Sequence, residues 1–314
     1  MARFDKVLLV ANPTSGLGKA RRWFDRAAEA IRPLGRELEV LVTQAAGDAR
    51  TAVAELGSGR NLAVAFGGDG TVHELLNGAD LDSCALAVIP AGTGNVLAKE
   101  LGMAAHPTRS VRQLLNGRLV SFDVGVCNGR RFISMFGAGL DARAVELVHR
   151  NRGKTLTQVH YLPHIVRAVL SVGNLRVAAE ADDRTLVRSA SQVCVGNTHS
   201  YGGPIEMTPA AAPDDGLLDV MAFRLRGPGD LLHVGACVLL RALHVSRRAT
   251  YRRARRVMVW SPEGRVPYEL DGEAAGELPA AITLQPRAAR LLAPRSFRHI
   301  QRKPPREEAG RELE

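Results

Sequence analysis

Over the first third of the chain, short apolar runs alternate with polar glycine turns and amphipathic stretches. Lys6-Val7-Leu8-Leu9-Val10-Ala11, Leu38–Val42, Leu62–Phe66 and Ala85–Ile89 have the length of buried parallel strands, the last two apolar at every position. Apolar residues then return at helical spacing: Trp23, Phe24, Ala27 and Ile31 after the first run, and Leu75, Leu76 and Ala79 after the third. Gly47-Asp48-Ala49 opens a helix after the second run, and Thr71 reads as the cap of the third. This rhythm predicts an α/β domain with a parallel sheet.

Near Leu119 the rhythm changes. Short strands are predicted at Leu119–Cys127, Arg131–Phe136, Leu175–Ala181, Ser191–Gly196, Leu218–Phe223, Arg256–Trp260, Arg265–Leu270 and Ala281–Leu284. Gly, Asp and Asn turns separate them, and helices are expected at Leu156–Ser171 and Leu231–Val245. Such a pattern reads as a β-rich antiparallel sandwich. The expected division is therefore an α/β domain over residues 1–120 and a sandwich over 121–285, with a charged, disordered tail at 301–314.

Composition narrows the partners. The length of 314 residues and a hydrophobic share of 46% are enough for two packed cores. The formal net charge of +10 favours an anionic partner, and the low aromatic share of 4% argues against nucleic acid bound by stacking. Cys84, Cys127, Cys194 and Cys237 are far apart, so reduced thiols in a cytoplasmic protein are expected rather than a disulfide framework or a zinc ribbon. The longest apolar run, Leu231–Leu240, is too short to span a bilayer, which leaves peripheral membrane contact.

The chemistry concentrates at the glycine turns. Gly67-Gly68-Asp69-Gly70-Thr71 lies between strand and helix, where missing Cβ atoms let the backbone approach a ligand and a helix start offers N–H groups to an anion. Asp69 would meet a phosphate only through a metal ion, because like charges repel. Asn12-Pro13-Thr14-Ser15-Gly16 and Pro90-Ala91-Gly92-Thr93-Gly94-Asn95 are further turns of this kind, and all three would converge on one sheet edge. Pro13 and Ala20 exclude a Walker loop, and Arg21 in place of a third glycine excludes the dinucleotide fingerprint. His160 and His164 have zinc spacing but no third ligand. Arg247, Arg248, Arg252, Arg253, Arg255 and Arg256 read as a solvated basic face or a contact for anionic headgroups.

GGDGTVHE at residues 67–74, with NPTSG at 12–16 and the PAGTGN turn at 90–95, resembles the diacylglycerol-kinase-like lipid kinases. The resemblance runs in motif order through nearly the whole chain and implies an ATP- and Mg²⁺-dependent kinase acting on the hydroxyl of a lipid such as diacylglycerol. It assigns nucleotide binding to Asn12, Pro13, Thr14, Ser15, Gly16, Thr43, Gly67, Gly68, Asp69, Gly70, Thr71, Val72, His73, Glu74, Gly92, Thr93 and Asn95. It further implies a structural Mg²⁺ on Asp215 with the carbonyls of Ala212 and Leu217, and a catalytic carboxylate at Glu273, with Asp69 as the alternative base. Asp123 and Asp271 match supporting acidic positions, and the chain beyond about 286 would return to the first domain. His73 stands where bacterial members carry Asn, which keeps a sphingosine- or ceramide-like kinase open. NAD kinase and a catalytically silent lipid- or nucleotide-binding regulator stand further off. The implied partners are a lipid substrate and an anionic membrane surface, with no nucleic acid and with homodimerisation left open.

Overall fold

The computed structural model describes residues 3–13, 19–140, 142, 176–201, 205–225, 227–239, 243, 246, 248–262 and 264–298. The expected helix at 156–171, His160, His164, Arg247 and the tail at 301–314 lie outside these residues. The chain divides into two compact units, one reaching to Val124 and resuming from Pro286 to Arg298, the other Gly125–Gln285.

The first unit alternates strand and helix: β1 (Phe4–Ala11), α1 (Lys19–Ile31), β2 (Gly35–Val42), α2 (Asp48–Ala54), β3 (Asn61–Gly67), α3 (Asp69–Gly78), β4 (Cys84–Pro90), α4 (Val96–Glu100) and α5 (Pro107–Leu115). β5 (Arg118–Cys127) leads out of it. Strands β2, β1, β3 and β4 lie in that order and all pair in parallel. Every residue of β3 and of β4 is buried, as continuous apolar runs require of central strands. Each large side chain so buried stabilises the unit by roughly 1.5–3 kcal/mol. β2 is the edge, and there Val40 and Val42 stay about half exposed. Helix α1 covers the sheet with Ala27 and Ile31 and stacks Phe24 on Phe66, ring centroids 6.2 Å apart. The sheet gains a further parallel neighbour late in the sequence, where Leu291 pairs with Leu86 and Phe297 packs on Phe122.

The second unit is antiparallel. Its elements are β6 (Arg130–Phe132), β7 (Met135–Gly139), β8 (Val177–Ala181), β9 (Arg184–Ala190), β10 (Gln192–Gly196), β11 (Ser200–Tyr201), β12 (Ile205–Glu206) and β13 (Leu218–Phe223). Helix α6 (Pro228–Leu239) and β14 (Ala249–Ala254), β15 (Arg256–Trp260), β16 (Pro267–Leu270), β17 (Glu273–Glu277) and β18 (Ala280–Ala293) follow. One sheet runs β14-β13-β10-β7-β16-β17, and facing it the start of β18 joins β15, β8 and β9. Phe136, Val195, Val220 and Leu270 from the first sheet meet Val177, Val187, Val257, Val259 and Ile282 from the second in one core, which makes the unit a sandwich. Val234 of α6 packs against the outer face of the first sheet, beside Met221 and Tyr251.

Three departures from expectation have physical causes. α3 starts at Asp69 with Gly68 as its cap, so Thr71 lies inside the first turn and is buried. The expected strand Arg131–Phe136 breaks into β6 and β7, because the N–H groups of Ile133, Ser134 and Met135 all turn to the carboxylate of Asp271 at 2.8–3.0 Å. The arginine run forms two strands rather than a free basic face: β14 and β15 turn a corner at Arg255, whose N–H bonds Asp182.

Asp271 therefore holds the corner between two strands. Asp271→Ala orphans three backbone donors at about 1–3 kcal/mol for each buried one, and we expect urea denaturation to register a loss of roughly 2–4 kcal/mol. Asp271→Asn, which keeps one acceptor oxygen, should lose clearly less. Equal loss in both variants would mean that the carboxylate's charge, not its acceptor geometry, holds the corner.

Candidate functional site

The glycine turns after β3 and β4 are built against each other. An ideal Cβ on Gly92 would stand 2.4 Å from the Cα of Gly68 and 3.1 Å from its nitrogen, so neither turn has room for a side chain there. Ala91 N–H bonds the Gly67 carbonyl at 2.9 Å and extends the β3–β4 ladder into the turns. Asn95, in the left-handed conformation (φ 50°), accepts the Gly92 N–H at 2.9 Å and donates to the Gly92 carbonyl at 2.7 Å. Asn is one of the few residues that adopts this conformation readily.

Asp69 links the two turns. Its Oδ1 accepts the Val96 N–H, the first amide of α4, at 2.7 Å. Its Oδ2 faces Gly94, where a Cβ would come within 2.7 Å. The leading amides of α3, on Asp69 and Gly70, have no carbonyl four residues earlier within the helix. Glycine backbone stripped of Cβ atoms, leading helix amides and one carboxylate form a donor set suited to phosphate oxygens with a bridging Mg²⁺. These residues fit a nucleotide and its metal.

The other assigned positions divide. The N–H groups of Thr71 and Val72 both bond the Gly68 carbonyl, at 3.1 and 3.3 Å, and both side chains are buried. His73 is 3% exposed and contacts Asn77 one turn on, Nε2 to Nδ2 3.3 Å, so its ring belongs to helix packing. Glu74 reaches across to α2, where Oε2 accepts the Ala49 N–H at 3.2 Å. Asn12 and Thr43 stand at the same strand ends: Asn12 N–H bonds Phe66 O, and Thr43 N–H bonds Ala11 O. Pro13 ends the described part of the first turn; Thr14, Ser15 and Gly16 lie outside it, and Thr93 is exposed in its own turn. Asp48 accepts the N–H groups of Ala45 and Gln44, which hold its carboxyl below the usual range.

Asp123 is fully buried, and its Oδ1 accepts the N–H of Arg287 at 2.7 Å, where β18 takes a left-handed residue (φ 52°). Asp271 and Gly272 form the two-residue β16–β17 turn with φ of 53° and 85°, the geometry that an Asp-Gly hairpin favours. Glu273 opens β17 directly after it and is half-buried. Glu269, buried in the same hairpin, accepts the Gly272 N–H and braces the turn. Sequence reasoning missed Glu269; Asn197, in the polar stretch ahead of the Asp215 turn, donates its buried amide to Ile133 O at 2.8 Å. Nothing in a single sequence separates such bracing groups from surface polar residues.

The Asp215 turn is already neutralised. One carboxylate oxygen accepts the Leu217 N–H at 3.0 Å, and the other pairs with the guanidinium of Arg253. Arg253 lies opposite Asp219 in the β13–β14 ladder, its Nε 3.5 Å from Asp219 Oδ2. Asp219 is fully buried and accepts the Tyr251 hydroxyl. Burial pushes its carboxyl up to about 7 against the pull of that hydroxyl, and Arg253 also favours the ionised form. Among the described residues no three His, Cys, Asp or Glu side chains are grouped to hold a metal. With both Asp215 oxygens engaged, one by the Leu217 N–H and one by Arg253, the set Asp215, Ala212 and Leu217 does not fit a second cation.

Comparison with known proteins agrees with this architecture. The diacylglycerol kinase catalytic domain family matches residues 6–127, and the YegS C-terminal NAD kinase β-sandwich-like domain family matches residues 134–293. A diacylglycerol kinase of Bacillus subtilis (strain 168) is 30% identical over 91% of this chain and 96% of its own. One of Mycobacterium tuberculosis (strain ATCC 25618 / H37Rv) is 29% identical over 92% and 96%. The fold is shared with the crystal structure of a diacylglycerol kinase from Bacillus anthracis str. Sterne, at a TM-score of 0.69, 21% identity and coverage of 93% and 98%. With both halves matched in order and a relative aligned almost from end to end, the chain belongs to the diacylglycerol kinase family of lipid kinases, phosphotransferases that act on an alcohol group.

Proposed function

We propose that this chain transfers a phosphoryl group from ATP, with Mg²⁺, to the hydroxyl of a lipid such as diacylglycerol. The observation that carries the reading is the side-chain-free surface where Gly68 meets Gly92. Phosphates need close backbone approach and leading helix amides, and the turns after β3 and β4 supply both. Bound Mg²⁺ would neutralise charge on the transferring phosphoryl group. Asp69 is the residue to hold it through water, while its other oxygen keeps α4 in register through Val96. Glu273 is the base that takes the proton from the lipid hydroxyl, on a rigid hairpin turn braced by Asp271 and Glu269. The buried ring of His73 contacts Asn77 of its own helix, and a sphingosine- or ceramide-like acceptor is the alternative reading.

Asp69→Asn retains an acceptor for the Val96 N–H and removes only the charge. We expect kcat/KM to fall at least about 100-fold with the melting temperature nearly unchanged; near-normal turnover would sink the metal role. For Glu273→Gln, steady-state kinetics should give a kcat lower by about 100- to 10,000-fold with an unaltered KM for ATP. A rise in KM for ATP with kcat intact would instead make Glu273 a binding residue. Mass spectrometry of products from a mixture of diacylglycerol, sphingosine and ceramide identifies the acceptor, and a phosphorylated sphingoid as sole product would overturn diacylglycerol.

Reversible contact with anionic membranes belongs to the same proposal. No helix among the described residues is long and apolar enough to cross a bilayer. The arginine run offers less charge than its count suggests: Arg248 pairs with Asp230, Arg253 with Asp215 and Arg256 with Asp183. Arg252 and Arg255 are in no ion pair among the described residues. At about 1 kcal/mol for each basic residue near the surface, these two contribute most among the described members of the run. In liposome co-sedimentation at low salt, Arg252→Gln with Arg255→Gln should weaken binding to anionic vesicles, and high salt should do the same to the unmodified protein. Equal binding to neutral and anionic vesicles would discard the electrostatic contact.

A further inference from the structure

We propose that Arg253 serves as a built-in cation at the Asp215 turn, so that the sandwich unit closes on a guanidinium and carries no structural divalent ion there. The motif resemblance puts an Mg²⁺ on Asp215 and the carbonyls of Ala212 and Leu217. In this chain the Asp215 carboxylate has both oxygens engaged, one by the Leu217 N–H and one by Arg253. Gly216, with φ 75°, gives the turn its shape.

Arg253 is held from two sides. It stands directly across the ladder from Asp219, and its Nε lies 3.5 Å from a carboxylate that is 0% exposed. The Arg253 side chain itself is only 19% exposed, so it is packed in place rather than draped over the surface. Tyr251, two residues earlier on the same strand, donates its hydroxyl to the other oxygen of Asp219. One guanidinium thus bridges an exposed turn and a buried strand, and supplies the Asp215 carboxylate with the positive charge that a bound ion would otherwise bring. A divalent ion added beside it would meet a like charge at short range, in a partly buried setting where screening is weak. Removing the guanidinium reverses the situation: the Asp215 carboxylate would lose its counter-charge, which is the condition that recruits a hard cation to oxygen ligands.

The test uses thermal melting and metal stoichiometry of the full chain without nucleotide, readouts separate from the kinase assay and from Asp69. The unmodified protein should melt at one temperature in EDTA and in millimolar Mg²⁺. Equilibrium dialysis should find the same bound Mg²⁺ for it as for Asp215→Ala. Arg253→Met keeps the length of the side chain and drops the charge; it should melt lower in EDTA and regain stability with Mg²⁺ or Ca²⁺. The double variant Arg253→Met, Asp215→Ala should lose that rescue. Arg253→Lys, which keeps a cation, should stay indifferent to metal. Mg²⁺-dependent melting of the unmodified protein that Asp215→Ala abolishes would overturn the proposal, as would a folded Arg253→Met that ignores both metals. Should Arg253→Met fail to fold, the comparison of the unmodified protein with Asp215→Ala decides alone.

Discussion

Two glycine backbones in contact set the geometry on which the nucleotide half of this kinase depends. Gly68 and Gly92 close the turns after neighbouring strands at a separation that no Cβ permits. Everything around them serves that approach. Ala91 carries the ladder one residue past the strands, Asn95 pins its turn to Gly92, and Asp69 ties the first helical turn to the second. A phosphate site made of backbone must be preorganised in this way, because amides aimed at empty space have no side-chain freedom with which to adjust later. The glycines of the motif thus admit one another, and on the proposed reading the same lack of Cβ atoms admits a ligand.

The alternation of strand and helix was readable because buried parallel strands are apolar at every position, as β3 and β4 are. The sandwich was readable in outline only. β9 and β14 escaped because their exposed faces carry arginines, and β14 in particular hides inside a run that composition treats as a charged surface. The split between β6 and β7 could not be read at all. It depends on Asp271, whose carboxylate lies more than a hundred residues away in sequence and arrives only through the fold.

The candidate site divides along the same line. Glycine turns are local, so Gly67, Gly68, Gly92 and Asn95 could be picked from the string of residues. Side-chain direction is not local: His73 and Glu74 belong to the motif in sequence, yet one is buried beside Asn77 and the other caps the start of α2. Asp215 repeats the lesson, since the aspartate was visible and the arginine that neutralises it sits on another strand. Charge partners are set by topology, and a single sequence lists the charges without their pairing.

The long strand β18 begins in the sandwich unit and ends in the first, where Ala289, Leu291, Leu292 and Ala293 are completely buried. Those residues follow the whole sandwich in the sequence, so the nascent chain cannot finish the domain it started. While residues 125–285 are synthesised, on the order of ten seconds or more, β4 lacks its parallel neighbour and Phe122 lacks Phe297. Such an open edge invites pairing with other chains. The segment made after the sandwich therefore acts as a covalent seal on the unit made before it. A ribosome that stops early in the sandwich releases a first unit with its sheet unclosed, and that sheet is completed only after residues 286–298 have been made.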